Sequence, residues 1–282
     1  MKYEMRLHNE PFELIKSGSK TIEIRLNDEK RSMIKENDII VFENRITKEI
    51  IKTQVVKIHN YPSFEELYKH FDNQSLGYKE NEIADPKDME QYYSKEEQEK
   101  YGVLGIEIKL LNKDRKVIIN NYDNLNVNEI NKVVRRAKIL IETNDNKFII
   151  CHSDGNYHLL GGHVDNDESD IECLNREILE EAGVNLKLDD LNPFMTIKYL
   201  NKDYPEVGTT TFTMANYYTL IYDLKPNLDK IKLTDDEKEG DFKLEFIDKN
   251  KVLDTLEKSL DNATRKGVTL DTILVIKEYL NK

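Results

Sequence analysis

The chain has 282 residues and a formal net charge of −12, and its 38% hydrophobic and 34% charged residues allow one large or two ordinary domains with charged surfaces. The acidic balance disfavours a general nucleic-acid binder, because contacts to phosphate require Lys and Arg. Two cysteines, no run of about 20 apolar residues and a charged start without a signal-peptide core predict a cytoplasmic protein with reduced thiols and no membrane partner.

The first hundred residues alternate short strands with short helices. A helix is predicted to begin at Pro11 and to end at Gly18, and the alternating pattern of residues 21–26 predicts a half-buried strand. Further strands are predicted over 38–43, 50–58 and 103–110, with a capped helix start at Ser63 and a charged helix over 88–101. This order favours a small, partly closed β-barrel.

A Gly-x-Lys-x-x-Glu-x-Arg motif lies where the first helix passes into the next strand, at Gly18, Lys20, Glu23 and Arg25. It resembles the signature of the ASCH family, whose domains are PUA-like barrels, and the resemblance covers residues 1–112. It implies a ligand cleft at Lys20, Glu23 and Arg25 that binds RNA or a modified nucleoside.

Two alternatives to this cleft remain at the sequence level. Some small ASCH proteins hydrolyse an acylated nucleoside with the motif lysine and a threonine three residues later, where this chain has Glu23. Glu23 and Arg25 also suit a solvated pair on one strand face, beside a surface Lys20. RNA binding requires a local basic patch, because acidic side chains outnumber basic ones over residues 1–110.

Residues 113–130 are rich in Asn and Asp and are predicted to form a linker. The apolar residues 117–119 also fit a short strand that packs on either neighbouring domain.

The remaining residues, 131–282, predict a second domain that begins with a hairpin over 133–142 and 147–152. A helix is capped within 167–169 and stopped by Gly183. Later elements are strands over 195–199, 209–222 and 242–247, an acidic loop over 232–240, and helices over 250–260 and 269–280.

Three glutamates crowd the helix before Gly183, namely Glu177, Glu180 and Glu181. Like charges three or four residues apart destabilise a helix by roughly 0.2–0.5 kcal/mol per pair. A hard divalent cation reverses this effect, because Mg²⁺ prefers oxygen ligands. The spacing therefore predicts a metal site.

The surrounding residues match the pattern Gly-x5-Glu-x7-Arg-Glu-U-x-Glu-Glu-x-Gly-U, where U is aliphatic, at every position: Gly162, Glu168, Arg176, Glu177, Ile178, Glu180, Glu181, Gly183 and Val184. This second domain resembles the Nudix hydrolases, which implies an α/β/α sandwich with a mixed sheet. It further implies Mg²⁺-dependent hydrolysis, with Mn²⁺ as an alternative, of a small nucleotide substrate in which a nucleoside diphosphate is linked to another moiety.

The resemblance also implies individual roles. The metal ligands are the Gly161 carbonyl and the carboxylates of Glu177, Glu180 and Glu181. Arg176 supports them by pairing with Glu168 and orienting Glu177, and Gly162 allows close approach of the backbone. The general base is a glutamate of this pattern, here called a box glutamate, or one from the acidic loop, where Glu237 and Glu239 are candidates. The alternative for the loop is a solvated charge run.

The other candidate side chains are interpreted structurally. His152 and His158 suit hairpin or core positions, His163 suits a positioning role, and Cys173 suits helix packing. We therefore predict an α+β protein of two domains with hydrolase activity. The rival hypothesis is a nucleotide- or RNA-binding regulatory protein with a sensing Nudix domain.

Overall fold

The computed structural model of the protein describes residues 1–79, 82–111, 115–165, 167–189 and 191–281, with only the backbone at position 236. The chain divides into two compact units, one of residues 1–113 with 126–130 and one of residues 114–125 with 131–282. In the described part of the chain, no helix is both long and apolar enough to span a bilayer.

The first unit is built around a curled, half-barrel sheet. Its elements are β1 (Lys2–Leu7), α1 (Asn9–Ser17), β2 (Ile22–Leu26), β3 (Ile39–Asn44), β4 (Ile50–Tyr61), α2 (Phe64–Tyr68), α3 (Asn73–Leu76), α4 (Lys95–Tyr101) and β5 (Val103–Leu110). Among the described residues the strand order is β1-β3-β4-β5-β2, with β1 parallel to β3 and the other neighbours antiparallel.

Two apolar clusters hold this unit together. Phe12 and Ile15 of α1 pack against Ile40 and Phe42 of β3 in the first cluster. The second joins β2 to α2, where Phe64 is buried. Burying side chains of this size contributes about 1.5–3 kcal/mol each.

The prediction of one charged helix over 88–101 is wrong. The chain forms a 3₁₀ turn at Pro86–Gln91 and then starts α4 anew. Ser94 interrupts the helix because its hydroxyl accepts a hydrogen bond from the Glu97 N–H, while the Glu97 carboxylate accepts one from the Ser94 N–H.

The second unit is a mixed sheet flanked by helices. Its elements are β6 (Lys116–Asn120), β7 (Lys132–Glu142), β8 (Lys147–Ser153), β9 (Asn156–His158), α5 (Asp170–Ala182), β10 (Met195–Asn201), β11 (Thr211–Ile221), α6 (Asp235–Glu239), β12 (Lys243–Asp248), α7 (Val252–Ser259) and α8 (Lys266–Leu280). The described strands follow the order β12-β8-β7-β11-β10-β6, and β9 pairs with β8. The pairs β7–β11 and β10–β6 are parallel, and the others are antiparallel.

The structure decides one open alternative and changes one predicted element. Residues 116–120, within the predicted linker, form β6 at the edge of the second sheet. The predicted acidic loop contains α6, which Thr234 initiates by accepting a hydrogen bond from the Glu237 N–H. Short-range capping has thus ordered a segment whose charge density indicated only exposure.

Helices cover both faces of the second sheet. On one face α5 packs Leu174 and Ile178 against Ile139 of β7. On the other face α7 and α8 cover a cluster that includes Phe148 and Ile276. The predicted α+β architecture, with a PUA-like half-barrel followed by an α/β/α sandwich, is confirmed.

Local sequence fixes both ends of α5. Ser169 and Glu172 form a reciprocal capping box at the start, and Gly183 takes a left-handed conformation with φ of 68° just after the end. The apolar stripe of α5 faces the sheet. Glu181 lies on this buried side as well, a position that carboxylates seldom occupy.

Candidate active site

Two consecutive glycines bring the backbone against the glutamates of α5. Gly161 has φ of +113°, and its N–H donates a 2.9 Å hydrogen bond to Oε2 of Glu181. At Gly162, an added Cβ would lie 2.1 Å from Oε1 of Glu177. The pair is therefore required for close packing of this loop on α5.

Arg176 organises the exposed side of the cluster. Its Nε and Nη2 each donate to Glu168 at 2.9 Å, while Nη1 donates to Glu177 at 2.8 Å and to Glu180 at 3.2 Å. Nη2 also donates to the carbonyl of His163 at 3.0 Å. These hydrogen bonds lower the pKa of Glu168 and fix the carboxylates of Glu177 and Glu180.

Glu181 points away from solvent and is 3% exposed. Burial raises its pKa to about 8, and the charges of Glu177 and Glu237 act in the same direction. The ammonium of Lys138 and the Gly161 N–H oppose the shift. Burial also raises the pKa of Glu177. A nearby cation would reverse both shifts by stabilising the ionised carboxylates.

Lys138 is a site residue that the sequence analysis did not identify. It lies on β7, and its ammonium donates a hydrogen bond to the carbonyl oxygen of Gly161, the oxygen that resemblance assigns to the metal. The available signal was a lysine between the buried Ala137 and Ile139. Its position became informative only when the Gly161 loop was seen beside β7.

The two acidic-loop candidates are placed differently. Glu237 is half-buried, and its charge contributes to the raised pKa of Glu181. Its Oε2 accepts hydrogen bonds from the N–H and hydroxyl of Thr234, at 2.6 and 2.8 Å. Glu239, at the end of the same short helix, is exposed. The geometry therefore favours Glu237 over Glu239 as a participant.

Two residues without a predicted functional role lie beside Glu181. The sequence indicated a hairpin or core position for His158 and no particular position for Cys151. Cys151 and His158 face each other across β8 and β9. Burial lowers the pKa of His158 to about 3, so its ring is neutral over the physiological range. By contrast, Cys173 donates through its thiol to the His163 carbonyl at 3.2 Å, as a helix packing residue can do.

The motif residues of the first unit form a buried ion network. The Lys20 ammonium donates to the carbonyls of Ile22 and Leu76, at 2.7 and 2.8 Å, and lies 3.7 Å from the Glu23 carboxylate. Arg25 pairs with Glu23 at 2.7 Å. Because Glu23 is 2% exposed, the alternative of a solvated surface pair is wrong. Burial lowers the pKa of Lys20.

Family comparisons agree with this division of the chain. The model of the ASCH domain matches residues 5–112, and the model of the NUDIX domain matches residues 133–266. A search of the curated proteins finds no match.

Among solved structures, hypothetical protein PH0355 is 38% identical over 39% of this chain and 100% of its own, with a TM-score of 0.35. Protein PF0455 from Pyrococcus furiosus is 36% identical over 40% of this chain and 99% of its own, with a TM-score of 0.32. The MutT protein from Bacillus halodurans is 18% identical over 53% of this chain and 83% of its own, with a TM-score of 0.36.

The fold of the second unit and its family match define a hydrolase that acts on phosphorus-containing acid anhydrides. The chain therefore carries an ASCH domain over residues 5–112, followed by a domain of the Nudix family over residues 133–266.

Proposed function

We propose that this protein hydrolyses a nucleoside diphosphate linked to another moiety, in a reaction that depends on Mg²⁺ or Mn²⁺. The supporting observation is the cluster of Glu177, Glu180 and Glu181, held between the Arg176 guanidinium and the loop at Gly161. A complete set of box glutamates favours hydrolysis over a sensing role, because nucleotide binding alone does not require this concentration of carboxylates.

The donor set fits a hard divalent ion. Glu177, Glu180 and Glu181 offer carboxylate oxygens, the ligand type that Mg²⁺ prefers. Burial raises the pKa of Glu177 and of Glu181, and a bound cation would favour their ionised forms. When bound, the ion neutralises phosphate oxygens and polarises the attacking water.

The protein's own residues then orient the reaction. Arg176 holds Glu177 and Glu180 in place, and the Gly161 N–H does the same for Glu181. Lys138, whose ammonium lies at the loop carbonyl, adds positive charge beside the phosphates. We assign proton acceptance from the attacking water to Glu237; a P–O bond forms to the water oxygen while the bridging P–O bond breaks, giving two phosphate-ended products.

A panel of nucleotides assayed for phosphate-ended products in Mg²⁺ tests this function. We expect turnover of at least one substrate by the wild type and a loss of about 10²–10⁴-fold in Glu237→Gln, the usual contribution of a general base. Glu239→Gln is the matched control and should keep its rate. Equal inactivity of wild type and Glu181→Gln on every nucleotide would contradict hydrolysis, and equal rates of the two loop variants would contradict the assigned base.

For the ASCH domain, we propose a cleft for RNA or a modified nucleoside that includes Arg25. Amidohydrolysis is disfavoured, because the Lys20 ammonium is already hydrogen-bonded to two main-chain carbonyls. Salt-dependent binding of single-stranded RNA, weakened in Arg25→Gln, would support the cleft. Deacylation of acetylated cytidine that is lost in Lys20→Met would instead support the amidohydrolase.

A further inference from the structure

Three potential ligand atoms converge beneath the glycine loop. The Sγ of Cys151, a ring nitrogen of His158 and a carboxylate oxygen of Glu181 all lie within 4.8 Å of one another. Cys151 and Glu181 are buried, and His158 is partly buried. Cys151 and His158 are direct partners across the β8–β9 pair, so their side chains leave the same face of the sheet toward α5.

The backbone preorganises two of these groups. Nδ1 of His158 lies 3.2 Å from the Leu159 carbonyl oxygen, so donation from Nδ1 leaves the Nε2 lone pair available. Metal-binding histidines generally use their second nitrogen in this way. Oε2 of Glu181 is fixed by the Gly161 N–H at 2.9 Å.

We propose that Cys151, His158 and Glu181 form a binding site for one borderline-soft divalent ion, with Zn²⁺ as the best-matched class. One sulfur, one nitrogen and one oxygen ligand suit tetrahedral Zn²⁺ with a fourth position open. A thiolate ligand disfavours Mg²⁺, which prefers oxygen, so this site is chemically distinct from the one proposed for hydrolysis. The inference does not depend on the proposed function.

The geometry requires little rearrangement. Tetrahedral bonds to sulfur and nitrogen place these two donors about 3.5 Å apart, so closure of the cluster requires side-chain movements on the order of 1 Å. On binding, the Cys151 thiol and the protonated fraction of Glu181 would each release a proton to solvent as their bonds to the metal form.

The surrounding charges permit a dication here. The thiolate of Cys151 and the carboxylate of Glu181 neutralise its two positive charges. Burial raises the pKa of Cys151 and of Glu181, and the negative charges of Glu177 and Glu237 raise both further. These negative charges also attract a cation to this position, whereas the Lys138 ammonium repels it. Because Glu181 is common to both sites, occupation by a soft ion should weaken Mg²⁺ binding at the neighbouring glutamates.

Titration of the metal-free, full-length protein with Co²⁺ tests the site, because Co²⁺ replaces Zn²⁺ and its spectrum reports thiolate ligation. We expect one equivalent to produce a near-ultraviolet sulfur-to-cobalt band with visible bands of tetrahedral intensity. The sulfur band should disappear in Cys151→Ala. Cys173→Ala is the matched control, since it removes the other buried cysteine, and it should retain the band.

A second variant keeps the test decisive if Cys151→Ala does not fold. His158→Gln should weaken Co²⁺ binding about tenfold or more, equivalent to ~1.4 kcal/mol per factor of ten. The proposal is overturned if the wild type shows no thiolate band, or if the band persists in a folded Cys151→Ala variant. Failure of the hydrolysis assay would leave the cobalt spectrum unchanged, so the two proposals fail independently.

Discussion

Gly162 lies so close to Glu177 that a single added methyl group should disturb the site. A methyl group there would lie within bonding range of the Glu177 carboxylate, so the carboxylate or the loop must move. The requirement is for space, and it is imposed by a side chain fifteen positions later in the sequence.

We predict that Gly162→Ala lowers the hydrolysis rate about 10²-fold, as displacement of a positioned group by about 1 Å can do. Gly267→Ala is the control, because nothing lies within 4 Å of a Cβ added there. Steady-state rates and thermal unfolding of both variants check the prediction. A Gly162→Ala enzyme with the wild-type rate would show that Glu177 is not held by this loop.

The role of Lys138 cannot be deduced from its residue type and its neighbours in the sequence. In the sequence it is one charge in a strand flanked by apolar residues and two arginines. In the structure its ammonium faces the Gly161 carbonyl and affects the pKa of Glu177 and Glu181. Its role follows from the position of the loop, which no periodicity in β7 encodes.

At the scale of elements, the Glu168–Arg176 pair ties α5 to the loop that precedes it. Three of the Arg176 hydrogen bonds reach back beyond the start of the helix, two to Glu168 and one to the His163 carbonyl. The pair therefore stabilises the helix start in addition to orienting the box glutamates.

The pH dependence of stability should report this pair. The folded-state pKa of Glu168 is depressed, chiefly by its hydrogen bonds to Arg176, so its stabilisation is present above the unfolded pKa of about 4.3 and is lost as pH falls through the folded value. We expect Glu168→Gln to lower the free energy of unfolding by ~1.5 kcal/mol at pH 6–7. The difference from wild type should shrink as pH falls below the unfolded pKa and through the folded one.

Thermal unfolding between pH 3 and pH 7, in metal-free buffer, measures the effect. Glu206→Gln, at an exposed turn, serves as the control and should track the wild type at every pH. A constant difference between Glu168→Gln and wild type across this range would show that the carboxylate's charge contributes nothing.

At the scale of the whole molecule, the position of β6 decides where the second unit begins. This strand also contributes to the stability of that unit. It pairs with β10 over residues 116–120, and Ile118 packs against the cluster under α7 and α8. A second-domain fragment that starts at residue 131 would leave the edge of β10 exposed.

We predict that a fragment of residues 131–282 melts several degrees below a fragment of residues 115–282, since each 1 kcal/mol lost corresponds to roughly 2–4 °C at this size. The shorter fragment should also aggregate more readily through its open sheet edge. Calorimetry and light scattering on the two fragments measure both effects. Identical melting temperatures would mean that β6 contributes no stability to the sheet.

The predicted strands and helices recur in the structure where local signals were strong. The apolar alternation of β7 and β8, and the capped, glycine-terminated α5, follow from patterns within about a dozen residues. The strand β6 depends on pairing with the distant β10, and the sequence left it as one of two alternatives. The helix α6 depends on a cap by the Thr234 hydroxyl, and the sequence did not predict it.

By itself, the sequence determined the two family memberships, the order of the main elements and the concentration of carboxylates on α5, because each depends on local spacing. Only the tertiary structure decided that Glu181 turns inward while Arg176 clamps Glu177 and Glu180. It alone set Lys138 at the Gly161 carbonyl and aligned Cys151 with His158. The register of neighbouring strands and the packing of a helix onto a sheet join residues far apart in the chain, and no local pattern carries that information.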